Sequence, residues 1–367
     1  MWIRPAIRAR FSRVRKRDRA DKQKRGAELI RYFQRVAGTG LVLLALMTPS
    51  MAQAPTPAPV LENMQVATAI PGVVAAGTPL VFLKGGMTSS EGPVAAPDGS
   101  IYFSEPSVSK IYKVAPDDTI SLLFDPQKAD DPAGERWRLP ALAMDAKGNV
   151  YACRRANTQI GIAIVYPAAQ ARFVATAYQG KSFVAPNDLS MARDGGIYFT
   201  DPGEGAHQPH AIYYVTPSRE VILATDNLGS PNGLVLSRDE KTLYAVDARS
   251  EYAFAYDVQP DHTLANRRNF AHLKGIVNGP HGMNNGIDGM AIDNDGNVYV
   301  ISNAGLEVFA PGGEALGVIA LPIKAQNLAF GGTDGRTLYI VGHGLQDRNG
   351  NLYKLRMIAR KFTGRAK

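Results

Sequence analysis

A six-fold repeat runs through most of this 367-residue chain and limits the folds that it can adopt. Each copy has a short apolar run, a polar turn usually of the Asp-Gly type, and a second β-type run that contains a tyrosine. The six tyrosines are Tyr102, Tyr151, Tyr198, Tyr244, Tyr299 and Tyr339, at spacings of 49, 47, 46, 55 and 40 residues. These spacings are typical of four-stranded propeller blades. The sequence therefore predicts an all-β fold, a six-bladed β-propeller over residues 79–358.

The two ends of the repeat region predict how such a ring would close. An apolar strand at residues 80–83 can pair with the strand expected near residues 352–355, which would leave no open sheet edge. Sustained helical periodicity with caps is absent from the sequence of the repeat region. A β-sandwich with coincidental turns is the weaker interpretation. The chain has a single cysteine, Cys153, so no internal disulfide is possible and the core must stabilise the fold.

Residues 1–54 are predicted to be a basic leader with a secretory signal. An uncharged apolar run of 12 residues, 36–47, is followed by small residues, with cleavage expected after Ala52. A membrane span needs roughly 20 apolar residues, so a stable transmembrane anchor is the weaker alternative. A Pro/Ala-rich linker is predicted at 55–78 and a basic C-terminal tail at 359–367. We therefore expect an exported protein, either periplasmic or secreted.

The net charge of +8 belongs to the leader rather than to the repeat region. Residues 1–35 hold 13 of the 41 basic and 3 of the 33 acidic residues, which leaves 28 basic and 30 acidic residues elsewhere. The body of the chain has no basic field that would attract phosphates, so nucleic acid is not expected as a partner.

One repeat position, just before the first strand of each copy, carries side-chain oxygens in five of the six copies. The six residues are Glu91, Pro140, Asn187, Asn232, Asp288 and Asn327. Equivalent positions of a propeller surround its central axis, so these residues should be neighbours in space. We call them the ring residues.

Four of the ring residues, Glu91, Asn187, Asn232 and Asp288, are predicted to bind one divalent metal. Carboxylate and amide oxygens suit Ca²⁺ best; Mg²⁺ and Mn²⁺ are possible, and Zn²⁺ is less suited to such a site. The alternative is that each side chain only caps a turn, which is common for Asn and Asp before a strand. Asn327 is expected to have a structural or supporting role.

The loops that follow the second strand of each copy should return to the same end of the propeller as the ring residues. Their polar residues are Glu105, Arg154, Asp201, Asp247, Asn303 and His343. From this set, Arg154 and Asp201 are predicted to bind substrate, although each such residue is individually more often a solvated loop side chain.

Five short motifs make the chain resemble the senescence marker protein/gluconolactonase family, which includes regucalcin, bacterial lactonases and, more distantly, diisopropyl fluorophosphatase. The motifs are SEGP at 90–93, PNDL at 186–189 leading to YFTDP at 198–202, PNGL at 231–234, DGM at 288–290 and NLAFGG at 327–332. The resemblance spans residues 80–357 and implies that Glu91, Asn187, Asn232 and Asp288 bind a catalytic metal. Animal members have a substrate-binding arginine where this chain has Ala185, so the substrate should be held differently here, and Arg154 is a candidate substitute.

The function expected from this resemblance is hydrolysis of a lactone, such as a sugar lactone, by metal-activated water. Asp288 is the candidate catalytic base that orients or deprotonates the water. Two alternatives remain open: hydrolysis of a phosphotriester or other ester at the same site, and a non-enzymatic ligand-binding propeller with a structural metal. The sequence contains no Gly-x-Ser-x-Gly motif that would favour a serine hydrolase.

Overall fold

The computed structural model describes residues 65–125, 137–203, 210–279 and 282–363. The predicted leader, residues 1–54, and the first part of the predicted linker lie outside these ranges. No helix in the described ranges is long and apolar enough to cross a bilayer.

The described residues form 28 β-strands and two short 3-10 turns, Pro106–Val108 and Ala168–Gln170. In chain order the strands are β1 (Leu80–Met87), β2 (Glu91–Ala95), β3 (Ile101–Glu105), β4 (Lys110–Val114), β5 (Ile120–Phe124), β6 (Leu142–Met144), β7 (Val150–Arg155), β8 (Ile160–Tyr166), β9 (Arg172–Ala175), β10 (Ala177–Tyr178), β11 (Lys181–Ser182), β12 (Leu189–Met191), β13 (Ile197–Asp201), β14 (Ala211–Val215), β15 (Val221–Thr225), β16 (Pro231–Leu236), β17 (Thr242–Asp247), β18 (Tyr252–Val258), β19 (Leu264–His272), β20 (Val277–Gly279), β21 (Gly282–Asn284), β22 (Met290–Ile292), β23 (Val298–Ser302), β24 (Gly305–Phe309), β25 (Ala315–Ile319), β26 (Ile323–Gly331), β27 (Thr337–Gly344) and β28 (Gly350–Arg356).

The strands form six four-stranded antiparallel blades, which confirms the predicted propeller. Blades 1 to 5 are β2–β5, β6–β9, β12–β15, β16–β19 and β22–β25, each in sequence order. Blade 6 has the order β1-β28-β27-β26, and β10–β11 and β20–β21 are separate two-stranded hairpins. Each Asp-Gly turn lies between the first two strands of its blade, with a left-handed glycine such as Gly99 (φ 86) or Gly296 (φ 86).

The first strand of the fold closes the ring as the sequence predicts. Leu80 pairs with Leu355 and Phe82 with Tyr353, so β1 becomes the outer strand of blade 6. Six apolar clusters fill the spaces between neighbouring blades, and one of them joins blade 6 to blade 1 through Phe103 and Val341. This arrangement explains the repeat, because both faces of most blades are buried against apolar neighbours.

The structure adds residues on both sides of the predicted propeller to the folded part. Ala67, Ile70, Val73 and Val74 of the predicted linker are at most 2% exposed and join the cluster between blades 5 and 6. In the predicted tail, Ala359 is buried in the same cluster. Apolar side chains at these positions therefore pack on the propeller, whereas residues 55–64 and 364–367 lie outside the described residues.

Candidate metal and substrate site

The ring residues lie at one end of the inner strands, opposite the Asp-Gly turns. Glu91 is the first residue of β2, and Asn232 and Asn327 lie within β16 and β26. Asn187 and Asp288 each lie two residues before the inner strand of their blade, β12 and β22. The antiparallel register of each blade brings the end of its second strand to the same place; Glu91 faces Ser104, for example. The strand geometry thus positions a polar ring residue at this end of every blade except blade 2, where the position is Pro140.

Hydrogen bonds join the segments that carry three of the ring residues. The Asn187 amide nitrogen Nδ2 donates to Asn232 Oδ1 at 2.9 Å. Asn232 Nδ2 in turn lies 3.4 Å from the carbonyl oxygen of Ile287, the residue before Asp288. The backbone N–H of Gly233 also donates to the Asp288 carbonyl oxygen at 3.1 Å. Blades 3, 4 and 5 therefore present their ring residues side by side.

Glycines next to three ring residues allow this close approach. A Cβ on Gly233 would lie 2.2 Å from the Asp288 carbonyl oxygen, and one on Gly289 would lie 2.3 Å from Asn327 Oδ1. Gly92, which has φ +50, would meet the Cα atom of Ala141 in blade 2 at 2.7 Å. A residue with a side chain would push neighbouring blades apart at each point, because these contacts are mostly with backbone.

Glu91 occupies the blade 1 position of the ring and is 7% exposed. Its Oε2 accepts a hydrogen bond from the Gly92 N–H at 3.1 Å. The hydroxyl of the preceding Ser90 is hydrogen-bonded to the backbone of Gly342 and Asn351 in blade 6, at 2.9 to 3.0 Å. These bonds fix the segment carrying Glu91 across the closing point of the propeller.

Thr200 and Asp188, two buried residues that the sequence analysis did not single out, fix the Asn187–Asn232 pair. The Thr200 hydroxyl accepts from the Asp188 N–H at 3.0 Å and donates to the Asn232 carbonyl at 2.8 Å. The Asp188 carboxylate accepts from Leu189 N at 2.9 Å and from Leu234 N at 3.3 Å. Both side chains therefore link blade 3 to blade 4 beneath the ring.

Asp201, a predicted substrate-binding residue, is fully buried and holds the loop that leads to Asn187. Its carboxylate accepts hydrogen bonds from the N–H groups of Val184 (2.8 Å), Ala185 (2.8 Å) and Gly203 (3.1 Å). The contacts describe an anchor for this loop, and the predicted contact with substrate stays a prediction.

Equivalent carboxylates anchor the corresponding loops in other blades. Asp247 accepts from the N–H groups of Gly229 (2.6 Å) and Ser230 (2.9 Å), just before Asn232. Glu105 accepts from both the N–H and the hydroxyl of Thr88, three residues before Glu91. The repeat pattern of the sequence placed these carboxylates at the same end of the propeller as the ring residues. In the structure they hold the backbone segments that lead to Glu91 and Asn232.

Arg154, the other predicted substrate-binding residue, has its guanidinium between two aromatic rings. The guanidinium carbon lies 3.7 Å from the ring centroid of Trp137 and 4.7 Å from that of Phe173. This packing is a cation–π arrangement within blade 2 and its adjoining loop. The predicted role of Arg154 in substrate binding stays a prediction.

Arg155, the next residue in the chain, lies beside the ring instead. Its Nε donates to the carbonyl oxygen of Pro186 at 2.7 Å, and Pro186 directly precedes Asn187. Burial lowers the pKa of Arg155, while the nearby carboxylates of Asp201 and Glu91 act in the opposite direction. The sequence offered no means of choosing between the two adjacent arginines.

The ring residues fit a hard divalent cation bound through oxygen. The Asn187–Asn232 bond uses the amide nitrogen of Asn187 and one lone pair of Asn232 Oδ1, which leaves the second lone pair of Asn232 Oδ1 and the Asn187 carbonyl for a cation. Glu91 and Asp288 supply two negative charges. In the described ranges, no three His, Cys, Asp or Glu side chains are grouped so as to hold a metal. A cation at the ring would thus depend on amide oxygens, which suits calcium better than zinc.

A separate cavity of about 660 Å³ lies at the opposite end of the propeller, where the Asp-Gly turns are. Asp145 and Asp194 from two of these turns line it, together with Lys361 and Phe362 of the C-terminal segment. This cavity is therefore distinct from the ring site.

Comparisons with known proteins agree with the motifs at the ring. The SMP-30/gluconolactonase/LRE-like region matches residues 89–343. A gluconolactonase from Zymomonas mobilis is 30% identical over 291 residues, covering 72% of this chain and 78% of that protein. Regucalcin from Gallus gallus is 30% identical over 136 residues, which cover 35% of this chain and 43% of that protein.

Solved structures show the same fold. A gluconolactonase structure from Xanthomonas campestris has a TM-score of 0.64 at 26% identity, covering 84% of this chain and 99% of that one. The calcium-binding protein regucalcin from Agrobacterium tumefaciens has a TM-score of 0.59 at 17% identity, covering 78% of this chain and 96% of that one. With a family match that spans well over half of its length, the chain belongs to the SMP-30/gluconolactonase/LRE-like family.

Proposed function

We propose that the protein is a metal-dependent hydrolase that opens lactones at the ring site. The observation that carries this proposal is the hydrogen bond between Asn187 and Asn232, together with the backbone bonds that place the Asp288 segment beside Asn232, in a chain of this family. The names of the relatives support the substrate class, since the Zymomonas protein is a gluconolactonase and a Staphylococcus saprophyticus relative is the lactonase drp35.

Glu91, Asn187, Asn232 and Asp288 would hold the cation, and we propose calcium as its identity. The donor set of two carboxylates and two amides supports calcium, and so does the similarity to regucalcin. A divalent cation bound here would supply Lewis acidity toward the lactone carbonyl and would acidify a water molecule.

The chain's own residues would then orient the reactants. Asn187 and Asn232 are held by their mutual hydrogen bond, and Thr200 fixes the backbone beneath them. Pre-set positions of this kind reduce the reorganisation needed during reaction. We assign to Asp288 the acceptance of a proton from the attacking water, because it is a carboxylate whose segment is hydrogen-bonded beside Asn232.

The experiment is turnover by metal-free protein to which Ca²⁺, Mg²⁺, Mn²⁺ or Zn²⁺ is added back. The substrates are glucono-δ-lactone, δ-valerolactone, p-nitrophenyl acetate and a phosphotriester. We expect lactone hydrolysis that is abolished by chelator and is restored best by calcium. Faster turnover of the phosphotriester or the acetate would overturn the lactone assignment. Tight metal binding without turnover of any substrate would favour a ligand-binding propeller.

We also propose that the protein is exported. The basic residues, the apolar run at 36–47 and the small residues around Ala52 support this proposal. The single cysteine, Cys153, is a buried free thiol, so the fold does not depend on a disulfide and is compatible with the cytoplasm as well as with an oxidising compartment outside it.

A further inference from the structure

Arg155 is a cation held at the edge of the ring by a single described side-chain hydrogen bond. The bond from Nε to the Pro186 carbonyl places the guanidinium next to the segment that carries Asn187. Its backbone is fixed as well, because Arg155 and Arg138 exchange N–H···O bonds of 2.8 and 2.9 Å. The side chain is partly buried.

Charged groups of both signs act on the Arg155 guanidinium. Glu91 and Asp201 attract it, and Arg138 and burial oppose its charge. Among the described residues, Arg155 forms no ion pair within 4.0 Å. A guanidinium has five N–H groups, so four remain after the bond to Pro186. The remaining N–H groups are donors beside a ring whose proposed metal ligands offer acceptor oxygens.

The adjacent Arg154 differs from Arg155 in its environment. Its guanidinium is stacked between Trp137 and Phe173, at 3.7 and 4.7 Å from the ring centroids. Two neighbouring residues of the same type thus have separate surroundings. The matched control for the charge and length of Arg155 is Arg172, which is exposed on the outer strand β9 of the same blade and donates to the Gln170 carbonyl oxygen at 2.8 Å.

We propose that Arg155 positions the substrate and selects lactones that carry hydroxyl groups, with its free N–H groups donating to hydroxyl oxygens. This inference rests on the proposed lactone hydrolysis. A site built to hydrogen-bond a substrate hydroxyl discriminates strongly against an analogue that lacks it. An apolar lactone would leave the guanidinium without a partner in a partly buried place, which lowers its binding.

The test compares Arg155→Met with Arg172→Met on two lactones of equal ring size, glucono-δ-lactone and δ-valerolactone. For Arg155→Met we expect kcat/KM on the hydroxylated lactone to fall by about 10- to 100-fold, mainly through KM. On δ-valerolactone the change should stay below about 3-fold, because no hydroxyl contact is lost. Arg172→Met changes an exposed side chain and should leave the ratio between the two substrates unchanged.

Two further measurements on the wild type and both variants are the affinity for calcium and the equilibrium binding of gluconate. Arg155→Met should bind calcium like the wild type but bind gluconate about 10-fold or more weakly. Parallel losses on both lactones, or an unchanged ratio between them, would overturn the selection by Arg155. A wild-type protein that opens neither lactone would instead refute the proposed function, and gluconate binding by the two variants would still decide whether Arg155 contacts a polyhydroxylated ligand.

Discussion

The substitution Asp201→Asn separates an anchoring role from a substrate-binding role for this buried residue. The carboxylate accepts three backbone N–H groups, those of Val184, Ala185 and Gly203, at 2.8 to 3.1 Å. Asparagine has nearly the same shape but offers one oxygen and one NH₂ group. One N–H would therefore face another donor, and the remaining bonds would lose their charge assistance.

The size of this effect can be worked out from the three bonds. An unsatisfied buried N–H costs about 1–3 kcal/mol, and loss of charge assistance weakens each of the other two bonds by about 0.5–1 kcal/mol. We expect the free energy of unfolding to fall by about 3 kcal/mol. At about 2–4 °C per kcal/mol for a domain of this size, the melting temperature should fall by roughly 6–12 °C.

The assay is thermal unfolding of metal-loaded protein, together with lactone kinetics at saturating metal. We expect a lower melting temperature with KM nearly unchanged, since the loop still carries Asn187 once the metal is bound. Asp247→Asn should behave similarly, because Asp247 has the equivalent contacts in blade 4. A melting temperature within about 1 °C of the wild type, combined with a roughly tenfold higher KM, would refute the anchoring role.

Three further predictions concern the rest of the chain. Deleting residues 350–367 removes β28, which lies between β1 and β27, and should abolish the cooperative thermal transition; a sharp transition near the wild-type temperature would contradict the closure. Burial raises the pKa of Glu307, so the folded state binds its proton more tightly, and stability should fall as pH rises from 4.5 through the folded pKa. Glu307→Gln should remove that part of the pH dependence in chemical unfolding at several pH values. N-terminal sequencing of exported protein should give a start near Gln53, whereas full-length protein kept in the cytoplasm would rule out the signal.

The fold was predictable because its repeat is visible in the chain. Each blade must bury both faces against its neighbours, so the apolar strands and the tyrosine recur at the length of one blade. The closing pair, Leu80 with Leu355, followed from the need to remove the open edge. The ends of the fold were less predictable, because burial of Ile70 or Ala359 depends on the surface that the finished propeller offers.

The ring residues were predictable for the same reason, since their repeat position places them around one axis. The register could not reveal which loop residues face a ligand. Asp201 and Arg154 occupy equivalent positions near the end of the second strand of their blades, yet one binds backbone N–H groups and the other stacks on Trp137. Contacts between blades, such as those of Thr200 and Arg155, join residues far apart in sequence and arise only from packing.

Calcium binding and lactone hydrolysis by Asp288→Ala and Asn187→Ala test most directly whether the ring residues bind a catalytic metal. Asn149→Ala, at the opposite end of the propeller, is the control. Asp288→Ala removes an anionic oxygen and the assigned proton acceptor, so calcium affinity and turnover should both fall, and saturating calcium should not restore the rate. Asn187→Ala removes a neutral oxygen, so affinity should fall by at least about 10-fold, and excess calcium should recover part of the rate because water can fill the vacant position.

Calorimetric titration of calcium gives the affinities, and the lactone assay at each calcium concentration gives the rates. Asn149→Ala, which loses only a contact with Asp145, should match the wild type in both. Wild-type rates for both ring variants at high calcium would show that Asp288 only coordinates the metal. We expect weakened calcium binding in both ring variants and a rate that partly returns only for Asn187→Ala; binding as tight as that of the wild type in both would contradict the metal site.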